Sequence, residues 1–168
     1  EKIKNTGGTL IIGGDFFDFW FNYKYVIPSG YEDLLDHLDD LNQSGITIHY
    51  VLGNHDFSVT DDKKALVPAQ LGLEDRYYDF THKGWRFLAL DGNDVSLHAY
   101  PKNDPRTKAA AAFHRSLKDG TPNWNGAVGK GQLKWIKDKL ETATKNHEKV
   151  ILFCHFPIHP ANVHNLWN

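Results

Sequence analysis

The sequence predicts an α/β fold in a single domain, and three observations predict it. Short β-rich apolar runs at residues 9–14, 46–52 and 149–154 alternate with stretches whose apolar residues recur at helical spacing. Each run stops abruptly at polar residues, two of them through a glycine. The length, 168 residues, fits one domain spanning 1–168, and 40% hydrophobic with 13% aromatic residues can fill its core.

The elements follow in order. Thr9-Leu10-Ile11-Ile12-Gly13-Gly14 is a continuous apolar run of the kind that lies buried on both faces of a sheet. Ser29-Gly30-Tyr31-Glu32 has the form of a capping box, and Tyr31, Leu34, Leu35, Leu38 and Leu41 then repeat at helical spacing as far as Gly45. Residues 46–52 form the second run, so strand, helix and strand predict a right-handed parallel βαβ unit. A short helix is expected over 63–71, interrupted at Pro68. Residues 76–81 and 85–90 flank Lys83-Gly84 as an antiparallel hairpin that starts a second sheet layer. A helix over 106–117 and a turn-rich loop over 119–131 come next. A second helix over 132–145 carries Leu133, Ile136 and Leu140 as its apolar stripe, and the strand at 149–154 ends at His155.

Composition removes several function classes. Nineteen basic and 21 acidic residues leave a formal charge of −2 without a lysine or arginine cluster, so nucleic acid is not an expected partner. Cys154 is the only cysteine and cannot form an intrachain disulfide. No apolar run reaches the roughly 18 residues that a membrane helix needs. The segment is read as soluble, its compartment open with the cytoplasm preferred. It holds no methionine and no basic-then-apolar leader, so it is expected to begin downstream of the translation start. Ten histidines, an excess for this length, direct attention to a metal or acid–base site.

Three strand ends carry such residues: Gly14-Asp15-Phe16-Phe17-Asp18, Gly53-Asn54-His55-Asp56 and His155-Phe156-Pro157. Ligands of open α/β sheets bind beyond the carboxyl ends of parallel strands, so these groups are expected to converge on one site. A carboxylate, an amide oxygen and an imidazole suit manganese, iron, zinc or magnesium, and the glycines before them permit a sharp turn at the strand end. Asp56 is expected to pin its loop rather than react. Cys154 is read as a packing residue, His159 and His164 as surface imidazoles, and His37, His49, His82, His98, His114 and His147 have no motif around them.

In these blocks the chain resembles the calcineurin-like metallophosphoesterases, whose pattern runs Asp-x-His, Gly-Asp-x-x-Asp, Gly-Asn-His-(Asp/Glu), a lone histidine after a strand, then Gly-His-x-His. Three of the five blocks are present in order, and the first and last are absent. The resemblance implies a two-sheet αββα sandwich, here as a central fragment truncated at both ends. It implies two divalent metal ions, manganese first, with zinc, iron or magnesium as alternatives. Asp15 would bridge them, and Asn54 and His155 would bind the second. His55 would meet the substrate phosphate and protonate the leaving oxygen, with Asp18 orienting it. Two cations about 4 Å apart clamp the phosphoryl oxygens and lower the pKa of a bridging water, so the expected reaction is attack by a metal-bridging hydroxide.

Asp18-Phe19-Trp20 resembles the hydrolases of UDP-2,3-diacylglucosamine. From about Arg76 onward the chain is similar to the manganese-dependent ADP-ribose/CDP-alcohol diphosphatases: Trp85-Arg86-Phe87-Leu88-Ala89-Leu90-Asp91, Gly131-Gln132-Leu133-Lys134-Trp135 and His155-Phe156-Pro157-Ile158-His159-Pro160 carry the likeness. Both cleave the pyrophosphate of a nucleoside-diphosphate conjugate, the expected small-molecule substrate class. Asn93 at a strand end and Asn125 in the glycine-rich loop are candidate substrate contacts, Asn125 preferred because it stands beside Trp124. A general or cyclic-nucleotide phosphodiesterase is the other enzymatic reading. A catalytically inactive scaffold of the same fold is the reading from another class.

Overall fold

The structure, a computed structural model, describes residues 4, 7–16, 31–117 and 122–157. Strand β1 (Thr9–Ile12), helix α1 (Glu32–Gln43) and strand β2 (Thr47–Tyr50) form the expected βαβ unit, β1 and β2 pairing in parallel from Thr9 opposite Thr47 to Ile12 opposite Tyr50. Ser29 lies outside the described residues, and α1 starts at Tyr31 without a side-chain cap, its first turn carrying Glu32 and Asp33 at the positive end of the helix dipole. It ends at Ser44-Gly45, where Gly45 takes a left-handed φ of 80° that suits a residue without Cβ.

The expected interruption at Pro68 is corrected. A 3₁₀ turn, Lys64–Leu66, leads into the single-turn helix α2 (Val67–Gln70), and Pro68 sits in its first turn. No intrahelical bond is lost there, because the first amides of a helix have no partner in any case. The hairpin forms as expected from β3 (Tyr78–His82) and β4 (Trp85–Ala89), with Lys83 and Gly84 at φ of 48° and 77° making the turn. Helix α3 (Pro105–Arg115) is capped by Asp104, whose carboxylate accepts the Arg106 N–H at 2.8 Å. Helix α4 (Lys130–Lys145) then delivers the chain to β5 (Lys149–Phe153).

Strand β5 does not join β1 and β2. It pairs in parallel with β4, giving one sheet of order β3-β4-β5 beside the two-stranded β1-β2 sheet. The sheets are tied side chain to backbone: the Tyr78 hydroxyl donates to the Tyr50 carbonyl at 2.9 Å and accepts the Tyr50 N–H at 3.0 Å. His49 of β2 stacks on Phe80 of β3 with ring centroids 3.6 Å apart. The loops beyond β2 and β4 enclose a core of Leu52, Phe57, Val67, Ala99 and Tyr100, each large apolar member contributing about 1.5–3 kcal/mol by burial.

The predicted face of α4 is also corrected. Leu133 is 54% exposed and Leu140 39%, whereas Gln132 and Ala143 point inward. Gln132 is drawn in by polar demand, since its Oε1 accepts the Asp91 N–H at 2.9 Å and its Nε2 donates to the Asp91 carbonyl at 3.0 Å. Asp91 itself is buried against Arg76 at 2.6 Å, and the Arg76 guanidinium is sandwiched between the rings of Phe57 and Tyr100. This network fixes the loop that follows β4.

Candidate functional site

The carboxyl ends of β1, β2 and β5 meet although they belong to two sheets. Asp15 follows β1 through Gly13-Gly14, and its backbone is left-handed, with φ of 50° directly after Gly14 at 91°. Aspartate tolerates that region better than most residues, but it is still an uncommon state that surrounding contacts must enforce. Those contacts are tight. A Cβ on Gly14 would lie 2.7 Å from the Gly53 nitrogen and 2.9 Å from His155 Nδ1, and one on Gly53 would collide with the Asp15 carboxylate. Both glycines are therefore required by close approach of the two loops.

The result is a convergent set of polar groups. Asp15 Oδ1 accepts the His55 backbone N–H at 2.8 Å, and Asp15 Oδ2 lies 3.0 Å from His155 Nε2. His155 Nδ1 donates to the Gly13 carbonyl at 2.8 Å. Asp56 pins the second loop as expected, its carboxylate accepting the Gly53 N–H and the Tyr50 hydroxyl, both at 2.7 Å. The Tyr50 hydroxyl in turn accepts the Phe16 N–H at 3.2 Å, so one buried carboxylate and one phenol hold both strand-end loops in register. Burial pushes the Asp56 carboxyl up despite these bonds.

The charges of Asp15 and His155 are coupled. Burial alone would raise Asp15, but the His155 hydrogen bond and charge, with the His55 N–H, hold it below the usual carboxylate range. The hydrogen bond from His155 to Asp15 likewise raises the imidazole pKa, against the opposing effect of burial.

The same atoms fit a divalent metal. Donors about 2.0–2.2 Å from one ion at right angles stand about 3.0 Å apart, which is the spacing of Asp15 Oδ2 and His155 Nε2. A ligating histidine ordinarily donates its other ring N–H to a carbonyl or carboxylate, and Gly13 supplies that acceptor. Among the described residues no three His, Cys, Asp or Glu side chains gather as a complete ligand set. A third donor from this region would be an amide.

A titration follows from this coupling. Because the folded-state pKa of His155 is raised, the imidazole holds its second proton at pH 6 and gives it up as pH climbs past that elevated value. Binding of Mn²⁺ at pH 6 is therefore expected to release up to about one proton per chain, and less as pH rises past the raised imidazole pKa. Calorimetry of the full chain in buffers of different ionisation enthalpy checks this. Proton release independent of pH would remove His155 from the ligand set.

The other predicted residues are placed as follows. His55 begins the turn His55–Phe57 with its ring exposed and its backbone on Asp15. Asn54 is half-buried and lines a cleft of 390 Å³ with Lys64, His98 and Trp124. Asp18 lies outside the described residues, as do His159 and His164. Asn93 is 0% exposed, with neither atom of its side-chain amide bonded within the described structure. Asn125 lines a separate cavity of 410 Å³ beside Val95, Phe113 and His114. The structure thus brings Asp15, His155 and the His55 backbone together, places Asn54 in the lining of a cleft, encloses Asn93, and sets Asn125 in the lining of a different cavity. His98 and Lys64 carried no motif, so nothing in the sequence marked them.

The chain matches the family described as calcineurin-like phosphoesterase over residues 2–167. It is 39% identical over 61 residues to a UDP-2,3-diacylglucosamine hydrolase of Porphyromonas gingivalis, covering 36% of this chain and 23% of that protein. It is 29% identical over 146 residues to a manganese-dependent ADP-ribose/CDP-alcohol diphosphatase of Oryza sativa, covering 74% and 44%. With the enzyme of that name from Homo sapiens it shares 25% over 191 residues, covering 92% and 54%. A solved dimetal phosphatase from Danio rerio superposes with a TM-score of 0.64 at 21% identity over 90% of this chain and 55% of that one, a likeness of fold. The chain spans about half the length, or less, of these curated relatives.

Proposed function

This chain belongs to the calcineurin-like phosphoesterase family, and from that premise we propose that it is part of a dimetal hydrolase that cleaves the pyrophosphate of nucleoside-diphosphate conjugates such as ADP-ribose or CDP-alcohols. The observation that carries the reading is the Asp15–His155 pair at 3.0 Å, with His155 backed by the Gly13 carbonyl and Asp15 by the His55 N–H. The names of the diphosphatase relatives, matched over most of this chain, support the substrate class.

Asp15, His155 and Asn54 would hold divalent cations, manganese first. When bound, such cations polarise phosphoryl oxygens and make water nucleophilic near neutral pH. The chain's own residues do the rest. Asp15 supplies negative charge from a backbone fixed by Gly14 and Gly53. His155 is oriented through Nδ1, so its Nε2 faces the Asp15 carboxylate rather than solvent. His55, exposed beside this pair, donates a proton to the leaving oxygen. Asp18 is assigned the orienting role by its motif.

We assign the chain to the central part of a longer phosphoesterase domain. Ile151 and Leu152 of β5, and Leu133 and Leu140 of α4, are 36–54% exposed, an apolar surface that further elements of such a domain would cover. Asp-x-His before residue 1 and Gly-His-x-His after residue 168 in the reading frame would supply the remaining ligands.

The test offers ADP-ribose, CDP-choline and UDP-2,3-diacylglucosamine side by side to the full chain with Mn²⁺. Turnover of the first two supports the reading. Exclusive turnover of the acylated sugar supports the second reading, favoured by the 39% identical segment shared with the P. gingivalis hydrolase. No metal uptake and no cleavage would assign the chain to an inactive scaffold.

A further inference from the structure

The cleft next to Asn54 is built from parts of the chain that the site motifs do not include. Its lining includes Ser58 and Lys64 from the segment after β2, and His98, Asn123 and Trp124 from the segment after β4. Two anchors hold the segment that bears Trp124. Val95 and Ala127 form an antiparallel bridge, their amides donating to each other's carbonyls at 2.8 and 2.9 Å. The His98 ring donates from Nε2 to the Asn123 carbonyl at 3.1 Å. Between the anchors, the Asn125 N–H reaches the Pro122 carbonyl at 3.3 Å, closing a turn with Trp124 in its centre. An indole that is 40% exposed is thus held on a fixed support.

Lys64 in the lining is also fixed. The Lys64 ammonium is almost buried, 3.2 Å from Asp61 and 3.3 Å from the Tyr100 carbonyl. The cleft offers amide, hydroxyl and imidazole groups together with an aromatic face, and its one ammonium is already paired with Asp61. At 390 Å³ it has the size of a small-ligand site, for which about 300 Å³ is the usual lower bound. An aromatic face beside hydrogen-bonding groups suits a ligand that is flat at one end and polar at the other.

We propose that this cleft is the subsite for a nucleoside monophosphate, with Trp124 stacking on the base and the phosphate directed toward Asn54 and the Asp15–His155 pair. The inference rests on the proposed hydrolase reading and names the part of the substrate that the cleft holds. It assigns base recognition to Trp124 and the placing of its loop to His98, which acts through the Asn123 carbonyl. Asn125, the next residue, faces the other cavity and takes no part in it.

The test titrates AMP, ribose 5-phosphate and inorganic phosphate into the full chain by calorimetry, first without added metal and then with Mn²⁺. Trp124→Ala is expected to weaken AMP about tenfold or more, the usual effect of losing a stacked aromatic, and to leave ribose 5-phosphate unchanged. Trp124→Phe, which keeps a π-face, is expected to restore most of the loss and shows that the indole's absence did not simply unfold the loop. Equal AMP affinity with and without the indole, equal weakening of ribose 5-phosphate, or no measurable AMP binding overturns the subsite. Mn²⁺-dependent cleavage of a generic phosphodiester with indole-independent AMP binding would discard the subsite and keep the hydrolase. Indole-dependent AMP binding without such cleavage would do the reverse.

Discussion

Replacing Asp15 by asparagine is expected to lower Mn²⁺-dependent hydrolysis by the full chain by about 10³-fold, beyond the roughly 10–100-fold typical of an outer-shell partner of a metal. The substitution keeps the shape of the side chain and one acceptor oxygen while removing the negative charge that faces His155 Nε2 at 3.0 Å. Metal content should fall with activity. Stability should change less than activity, because asparagine keeps an acceptor oxygen for the His55 N–H. Thermal melting with and without Mn²⁺ separates the two effects. Full metal content and full turnover in Asp15→Asn would detach this carboxylate from the chemistry, and a collapse of the melting temperature without metal would make it a structural residue.

His55→Ala is expected to retain metal and lose about 10²- to 10⁴-fold in turnover, the range for removal of a positioned general acid. The retention follows from the geometry. Asp15 is held by the backbone N–H of His55, which alanine also possesses, and Asp56 continues to fasten the loop through Gly53 and Tyr50. The loss should appear in kcat, with KM nearly constant, and should be smallest for a substrate whose leaving group needs no proton, such as p-nitrophenolate. Equal losses for good and poor leaving groups would argue that His55 does something other than donate a proton.

The meeting of Asp15 with the loop of His55 was legible because each signal is local. An apolar strand that stops at glycine and then an ionisable residue has few structural explanations, and two such blocks in family order reinforce one another. The βαβ unit and the hairpin were legible for the same reason: periodicity and turn residues act within a few positions. The sheet membership of β5 was not. Its apolar run suits either sheet, and only the pairing of Leu90 N–H with the Phe153 carbonyl, continuing the β4–β5 ladder, decides which neighbour it takes. Nor was the face of α4, where the unmet hydrogen bonds of Asp91 outweigh the leucine stripe and turn Gln132 inward. Asn93 and Asn125 look alike as loop amides, yet one is enclosed and the other lines an apolar cavity away from Asn54.

The residue types at the strand ends, and hence the family resemblance, were determined by the sequence itself, because side-chain chemistry and backbone propensity are properties of short segments. Only the tertiary structure decided that His155 reaches Asp15 from a different sheet and that His98 and Trp124 line one cleft with Lys64. Those separations are set by how two sheets and their loops pack. Packing energy is shared among many distant partners, so no single stretch of the chain encodes it.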